Sequence, residues 1–134
     1  MPSPTEHCQQ AEHNKDFLSG IDDKYLDWFV TTCYYASVHL LEACFAKRRP
    51  PRHSSDHSVR IGILRDLKKE ATFRKMKIYS DYQSLWNLSR EARYDCVMPS
   101  AEEKAEAKER LAEIESWALW KLGKAKHPHP EWRF

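Results

Sequence analysis

Residues 22–47 read DDKYLDWFVTTCYYASVHLLEACFAK. Within this stretch Phe29, Cys33, Ala36, Leu40, Ala43 and Cys44 recur at steps of four, three, four, three and one, the spacing of a single helix face. Tyr25, Leu26 and Trp28 widen the apolar stripe into a belt. A helix so broadly apolar is buried on most sides and belongs at the centre of a bundle. Asp22 is a suitable N-cap. Lys47, Arg48 and Arg49 suit a helix C-terminus, and Pro50 and Pro51 forbid continuation.

The neighbouring segments supply further helices. Upstream, a polar lead over residues 1–8 is expected to be disordered, followed by a short helix from Gln9 to Ser19 that Gly20 ends. Its apolar residues are few: Ala11, Phe17 and Leu18. Downstream, Ser54, Ser55 or Asp56 can cap a helix over Asp56–Lys69, with Val59, Ile63 and Leu67 facing the core and Leu64 beside them. Residues 70–77 are basic and irregular. Tyr82, Leu85, Trp86 and Ser89 then mark a helix over Ile78–Arg93, and Asp95–Pro99 break it. Ser100-Ala101-Glu102-Glu103 is a capping-box pattern opening a last helix that runs to Leu122. Its inward residues are Leu111, Ile114, Trp117, Ala118 and Leu122. Residues 9–123 thus form the bundle, and residues 124–134 a basic, extended tail.

The totals agree with an all-α domain. A chain of 134 residues fits one domain, and 3 glycines are too few for the turns of a β-sandwich. The net charge of +2, from 22 basic and 20 acidic side chains, gives no general case for nucleic-acid binding. Local clusters do: Lys47, Arg48, Arg49 and Arg52 form one patch, and Arg65, Lys68, Lys69, Arg74, Lys75 and Lys77 another. Either patch serves equally as solvated surface. The N-terminus lacks the apolar core of a signal peptide, and the longest apolar stretch is amphipathic. A cytoplasmic protein with no membrane partner is the expectation. Cys33 and Cys44, 11 residues apart on one helix, lie about 16 Å from each other, too far for a disulfide. They read as small core residues.

Residues 82–95 read YQSLWNLSREARYD. This pattern resembles a bacterial subgroup of the HEPN family of helical domains. The aromatic-rich helix before it agrees, with Asp27-Trp28, Tyr34-Tyr35-Ala36, His39 and Glu42-Ala43 in order. So does the element Asp56-His57-Ser58-Val59-Arg60, in which aspartate stands where serine is commoner. The resemblance spans Tyr25 to Asp95. It implies an up-and-down bundle of four main helices plus a short N-terminal one, often dimeric. It also implies an RNA- or nucleotide-associated role, in many members as a metal-independent ribonuclease, toxin or stress effector. The partners that follow are a second copy, RNA or a nucleotide, and an antitoxin or other protein. No metal or cofactor is implied.

The family's nuclease signature is an arginine followed at short spacing by a histidine, which Arg52 and His57 satisfy. Histidine moves protons near neutral pH, and arginine can stabilise a phosphorane's charge. The alternative is that His57 braces its helix and Arg60 is an ion-pair partner. Arg90 and Arg93, three residues apart, can grip a phosphate, and Tyr94 can stack on a base; Arg60 joins this candidate phosphate-binding set. Equally, Asp95 can pair with an arginine and Tyr94 can pack inward. His39 and Glu42 read as a polar pair buried between helices, able to reach Arg93, with Asp95 in the same structural group. His127 and His129 lie in the tail.

Overall fold

A computed structural model describes residues 1–132. Its central element is α2 (Leu26–Lys47), in which fourteen of 22 residues are buried. The expected stripe Phe29, Cys33, Ala36, Leu40, Ala43 and Cys44 lies wholly inside. Asp22 does not cap α2 directly. It caps a short 3-10 turn, Asp23–Tyr25, that leads into it. Burial pushes the Cys33 and Cys44 thiols up to about 12, so both are inert packing groups.

Around α2 lie α1 (Pro4–Gly20), α5 (Ile78–Tyr94) and α6 (Ala101–Lys121); α5 and α6 also pack on each other. Two shorter helices, α3 (His57–Leu67) and α4 (Ala71–Lys75), connect α2 to α5. Six α-helices and no strand occur among the described residues. None is long and apolar enough to cross a membrane.

Several details differ from the sequence reading. The N-terminal lead is helical from Pro4 onward rather than disordered to residue 8. The cause is a capping box. Ser3 Oγ accepts from the Glu6 N–H at 3.1 Å, and the Glu6 carboxylate accepts from the Ser3 N–H at 3.1 Å. With His7 and Cys8 buried alongside Ala11, α1 is a full member of the bundle, while Phe17 stays half exposed. In α3 the register is turned. Val59 is exposed, and Arg60 takes the inward place beside Ile61, Ile63, Leu64 and Leu67. Within the segment read as irregular, α4 forms around the fully buried Phe73. The box at Ser100 and Glu103 forms as read.

The tail is folded back, not extended. After Gly123, whose φ of 73° reverses the chain, the His127 ring meets Trp120 edge-on at 4.5 Å and Thr72 Oγ1 at 3.0 Å. His129 stacks on Trp132 at 3.9 Å. The last two positions of the tail lie outside the described residues.

Candidate functional site

Three separate stretches of sequence meet at one side of the bundle. On α2, Tyr34 and Tyr35 are consecutive and so diverge on the helix: Tyr34 is 4% exposed and Tyr35 41%. On α5, Tyr82 is fully buried, and its hydroxyl lies 3.2 Å from that of Tyr34. A buried tyrosine hydroxyl needs polar partners, and α3 supplies them. Asp56 caps α3 by accepting from the Val59 N–H, which sets His57 at the first helical position. There His57 Nδ1 lies 2.8 Å from the Tyr82 hydroxyl, and its ring stacks on Trp86 at 4.0 Å, 10° from parallel.

One turn later Arg60 enters the same cluster. Its Nη1 donates to the Tyr82 and Tyr34 hydroxyls at 3.2 and 3.4 Å, and its Nε to Glu42 at 3.4 Å. Glu42 also accepts from the Ser54 hydroxyl and, at 3.3 Å, from the Ser54 N–H; His53 Nδ1 sits 3.4 Å away. Arg60 is 7% exposed and Glu42 3%. Arg60 therefore does not belong with the phosphate-binding residues. It is enclosed and committed to protein groups, a brace between α2, α3 and α5. Glu42 is buried between helices and reaches Arg60, not Arg93.

His57 keeps a partly open edge. Burial, then the Arg60 cation, holds its pKa below the usual histidine range. Its ring is therefore neutral near pH 7, with Nδ1 engaged and no protein partner for Nε2 among the described residues. Arg52 is not beside it. Arg52 Nη1 pairs at 2.8 Å with Asp66, nine residues beyond His57 on α3, which is about 14 Å along the helix axis. The loop arginine and the histidine are thus not a preassembled pair, and the arginine that shares a partner with His57 is Arg60.

The end of α5 carries the exposed part of the cluster. Arg93 donates from Nε to the Ser89 carbonyl at 3.2 Å and from Nη1 to the Tyr35 hydroxyl at 2.9 Å. Its guanidinium lies 4.9 Å from the Tyr94 ring centre and 5.5 Å from that of Tyr35, within cation–π range. Arg90 lies 5.2 Å from the Trp86 ring centre. Tyr94 is 69% exposed, so it does not pack inward. Asp95 makes no ion pair among the described residues; its N–H closes the helix on the Glu91 carbonyl at 3.0 Å. The aspartate–arginine brace is absent because Arg93 points back to Ser89 and Tyr35.

His39 is elsewhere, on α2 against α1, its Nδ1 3.0 Å from Nδ1 of His7. Burial holds both imidazoles below their ordinary pKa, the neighbouring His39 adding to the effect on His7 and Arg60 to that on His39. No group of three or more His, Cys, Asp or Glu side chains among the described residues is placed to hold a metal ion.

Tyr82 is expected in the apolar stripe and Ser54 as one candidate cap of α3; in the structure both belong to the polar network instead, while His7 carries no expectation from the sequence. A signal for Tyr82 existed, since a tyrosine at a core position brings a hydroxyl that must be satisfied. No known family, curated protein or solved structure matches this chain.

Proposed function

We propose that the chain is a HEPN-like helical domain that binds single-stranded RNA through Tyr35, His57, Trp86, Arg90, Arg93 and Tyr94. The observation that carries this reading is the joining of α2, α3 and α5 at one surface where exposed aromatic rings alternate with arginines. Single strands are held by this combination. Bases stack on ring faces, each worth about 1–3 kcal/mol, while cations follow the phosphates. The buried Glu42–Arg60–Tyr82 network supports the reading too, because it fixes the helices from which these groups project. The homodimer that goes with a HEPN-like domain finds its support in a different apolar edge, where Phe17, Tyr25 and Trp28 are each about half exposed.

A second reading adds catalysis. A neutral His57 imidazole, oriented through Nδ1 by Tyr82, suits a general base that accepts the proton of a ribose 2′-hydroxyl at Nε2. On this reading the protein is a metal-independent ribonuclease; on the first it is a non-enzymatic binding domain.

Anisotropy titrations with a labelled single-stranded RNA across a salt series test the first reading. Arg93→Ala is expected to weaken binding about 10-fold and to lower the salt slope by about one. Tyr94→Ala is expected to weaken it by about 5-fold or more. A wild-type protein that binds no RNA at low salt defeats the proposal. Incubation of the same RNA without metal decides the second reading: cleavage by wild type that a folded His57→Ala variant lacks supports it, and no cleavage by wild type rejects it.

A further inference from the structure

Of the three helices packed around α2, α1 brings the least apolar surface. Its buried apolar residues are Cys8 and Ala11, both small, whereas α5 and α6 bury Tyr82, Leu85, Ile114 and Trp117. The remaining buried residue of α1 is His7, which meets His39 of α2, Nδ1 to Nδ1, at 3.0 Å. The two ring centres are 5.3 Å apart. That is close to the largest value that this gap and two imidazole radii allow, so the nitrogens face each other head-on. A metal ion needs lone pairs that converge on one point, and these oppose each other along a line. What fits between them is a single proton: one ring donates its N–H and the other accepts.

A second proton has no place there. With both rings charged, two N–H groups point at each other and neither has an acceptor. The charged and titratable groups that act on the pair, among the described residues, are Glu6 from α1, His53 from the loop before α3 and Arg60 from α3. Glu6 is the one anion of the three; it is exposed, and its carboxylate is engaged by the Ser3 N–H. Glu42 of α2 is turned to Arg60 and His53. Burial, with His39 and His53 acting on His7 and Arg60 acting on His39, holds both imidazoles below their ordinary pKa. The docked helix therefore takes up protons less readily than the undocked one. Its docking is fully stable above the ordinary histidine range and is lost as pH falls through the lowered values.

We propose that the His7–His39 pair is an acid-operated latch that releases the N-terminal half of α1 from α2. One proton between the rings closes it, and a second opens it. His39 is half-buried and borders a surface pocket with Glu6 and Gln10, so solvent protons reach the pair. The other end of α1 is tied by a different bond, Lys15 to Glu115 of α6, which involves neither imidazole. Opening therefore starts at the capped end and uncovers Cys8, the residue after His7, together with the face of α2 beneath it. The inference does not rest on the RNA-binding reading.

Thiol labelling of the full chain with dithiodipyridine, which reacts in acid as well as at neutral pH, tests the latch. The exposed Cys96 is an internal reference, and the ratio of Cys8 to Cys96 modification is read by peptide mass. In wild type that ratio is expected to rise about 10-fold between about pH 8 and 5. His7→Asn and His39→Asn each keep a hydrogen-bonding group near the Nδ1 position and cannot titrate there; in both the ratio is expected to stay flat. His53→Asn is expected to leave the rise in place. A flat ratio in wild type overturns the latch, and so does an undiminished rise in either folded asparagine variant at position 7 or 39. Loss of the rise in His53→Asn alone moves the trigger to His53 and overturns it as well. Nitrogen NMR shifts of the wild-type imidazoles need no variant: the second protonation of the pair and the exposure of Cys8 are expected at the same pH. Two protonated rings with Cys8 still shielded overturn the proposal.

Discussion

Glu42 and Asp81 are both carboxylates sealed into the bundle, 3% and 5% exposed, yet their surroundings differ. Glu42 meets the Ser54 N–H and hydroxyl, the Arg60 guanidinium and His53. Among the described residues the Asp81 side chain meets Arg110 alone, Nη1 to Oδ1 at 2.8 Å, and its Oδ2 is buried with no hydrogen-bond partner. Burial pushes the Asp81 carboxyl up to about 6 even against the pull of Arg110. Burial alone therefore does not make a good brace. A carboxylate stabilises a fold when donors occupy both its oxygens, and it is a liability when one oxygen is left bare. The well-partnered acid lies beneath the candidate RNA surface; the poorly partnered one lies between α5 and α6.

The largest test of this contrast is Glu42→Ala. It leaves Arg60 buried without its counter-charge and is expected to cost about 3–5 kcal/mol in denaturant unfolding. A loss below about 1 kcal/mol would break the comparison. Next comes Asp81→Asn, read against pH. Because the folded-state pKa of Asp81 is raised above its ordinary value, its contribution to stability is full below about pH 4 and is lost as pH rises through about 6. The stability advantage of wild type over the asparagine variant should therefore shrink between pH 4 and pH 7, by up to roughly 3 kcal/mol. A constant difference across that range would show that Arg110 satisfies Asp81 after all. Smallest is Ser54→Ala, which removes one donor from Glu42 while Arg60 remains. About 1 kcal/mol is expected, and the same denaturation series measures it.

Sequence periodicity identified α2, α5 and α6 because each carries long apolar stripes, and every residue its spacing picked out on α6 is inward, with Ala107 joining them. The start of α1 was legible too, in Ser3-Pro4-Thr5-Glu6, but the thin apolar content of that helix drew attention away from the cap. A helix of five residues such as α4 is too short to show a period. In α3 the pattern misled. Val59 is the apolar residue and Arg60 the charged one, yet the arginine faces inward because Glu42 and two tyrosine hydroxyls wait there. Those partners lie 18 to 26 residues away in the chain, beyond what local spacing can reveal. The same holds for the separation of Arg52 from His57: their closeness in sequence said nothing about Asp66, which draws Arg52 to the far end of α3. Tyr35, Arg93 and Tyr94 were legible as residue types. That Tyr35 and Arg93 touch was not.

The length and burial of α2 give the molecule a ruler. Tyr35, at the aromatic surface, and Lys47, at the C-terminal end, are twelve residues apart on one helix that is packed against α1, α5 and α6. At 1.5 Å per residue their separation is no less than about 18 Å, and tight packing keeps it from stretching or closing.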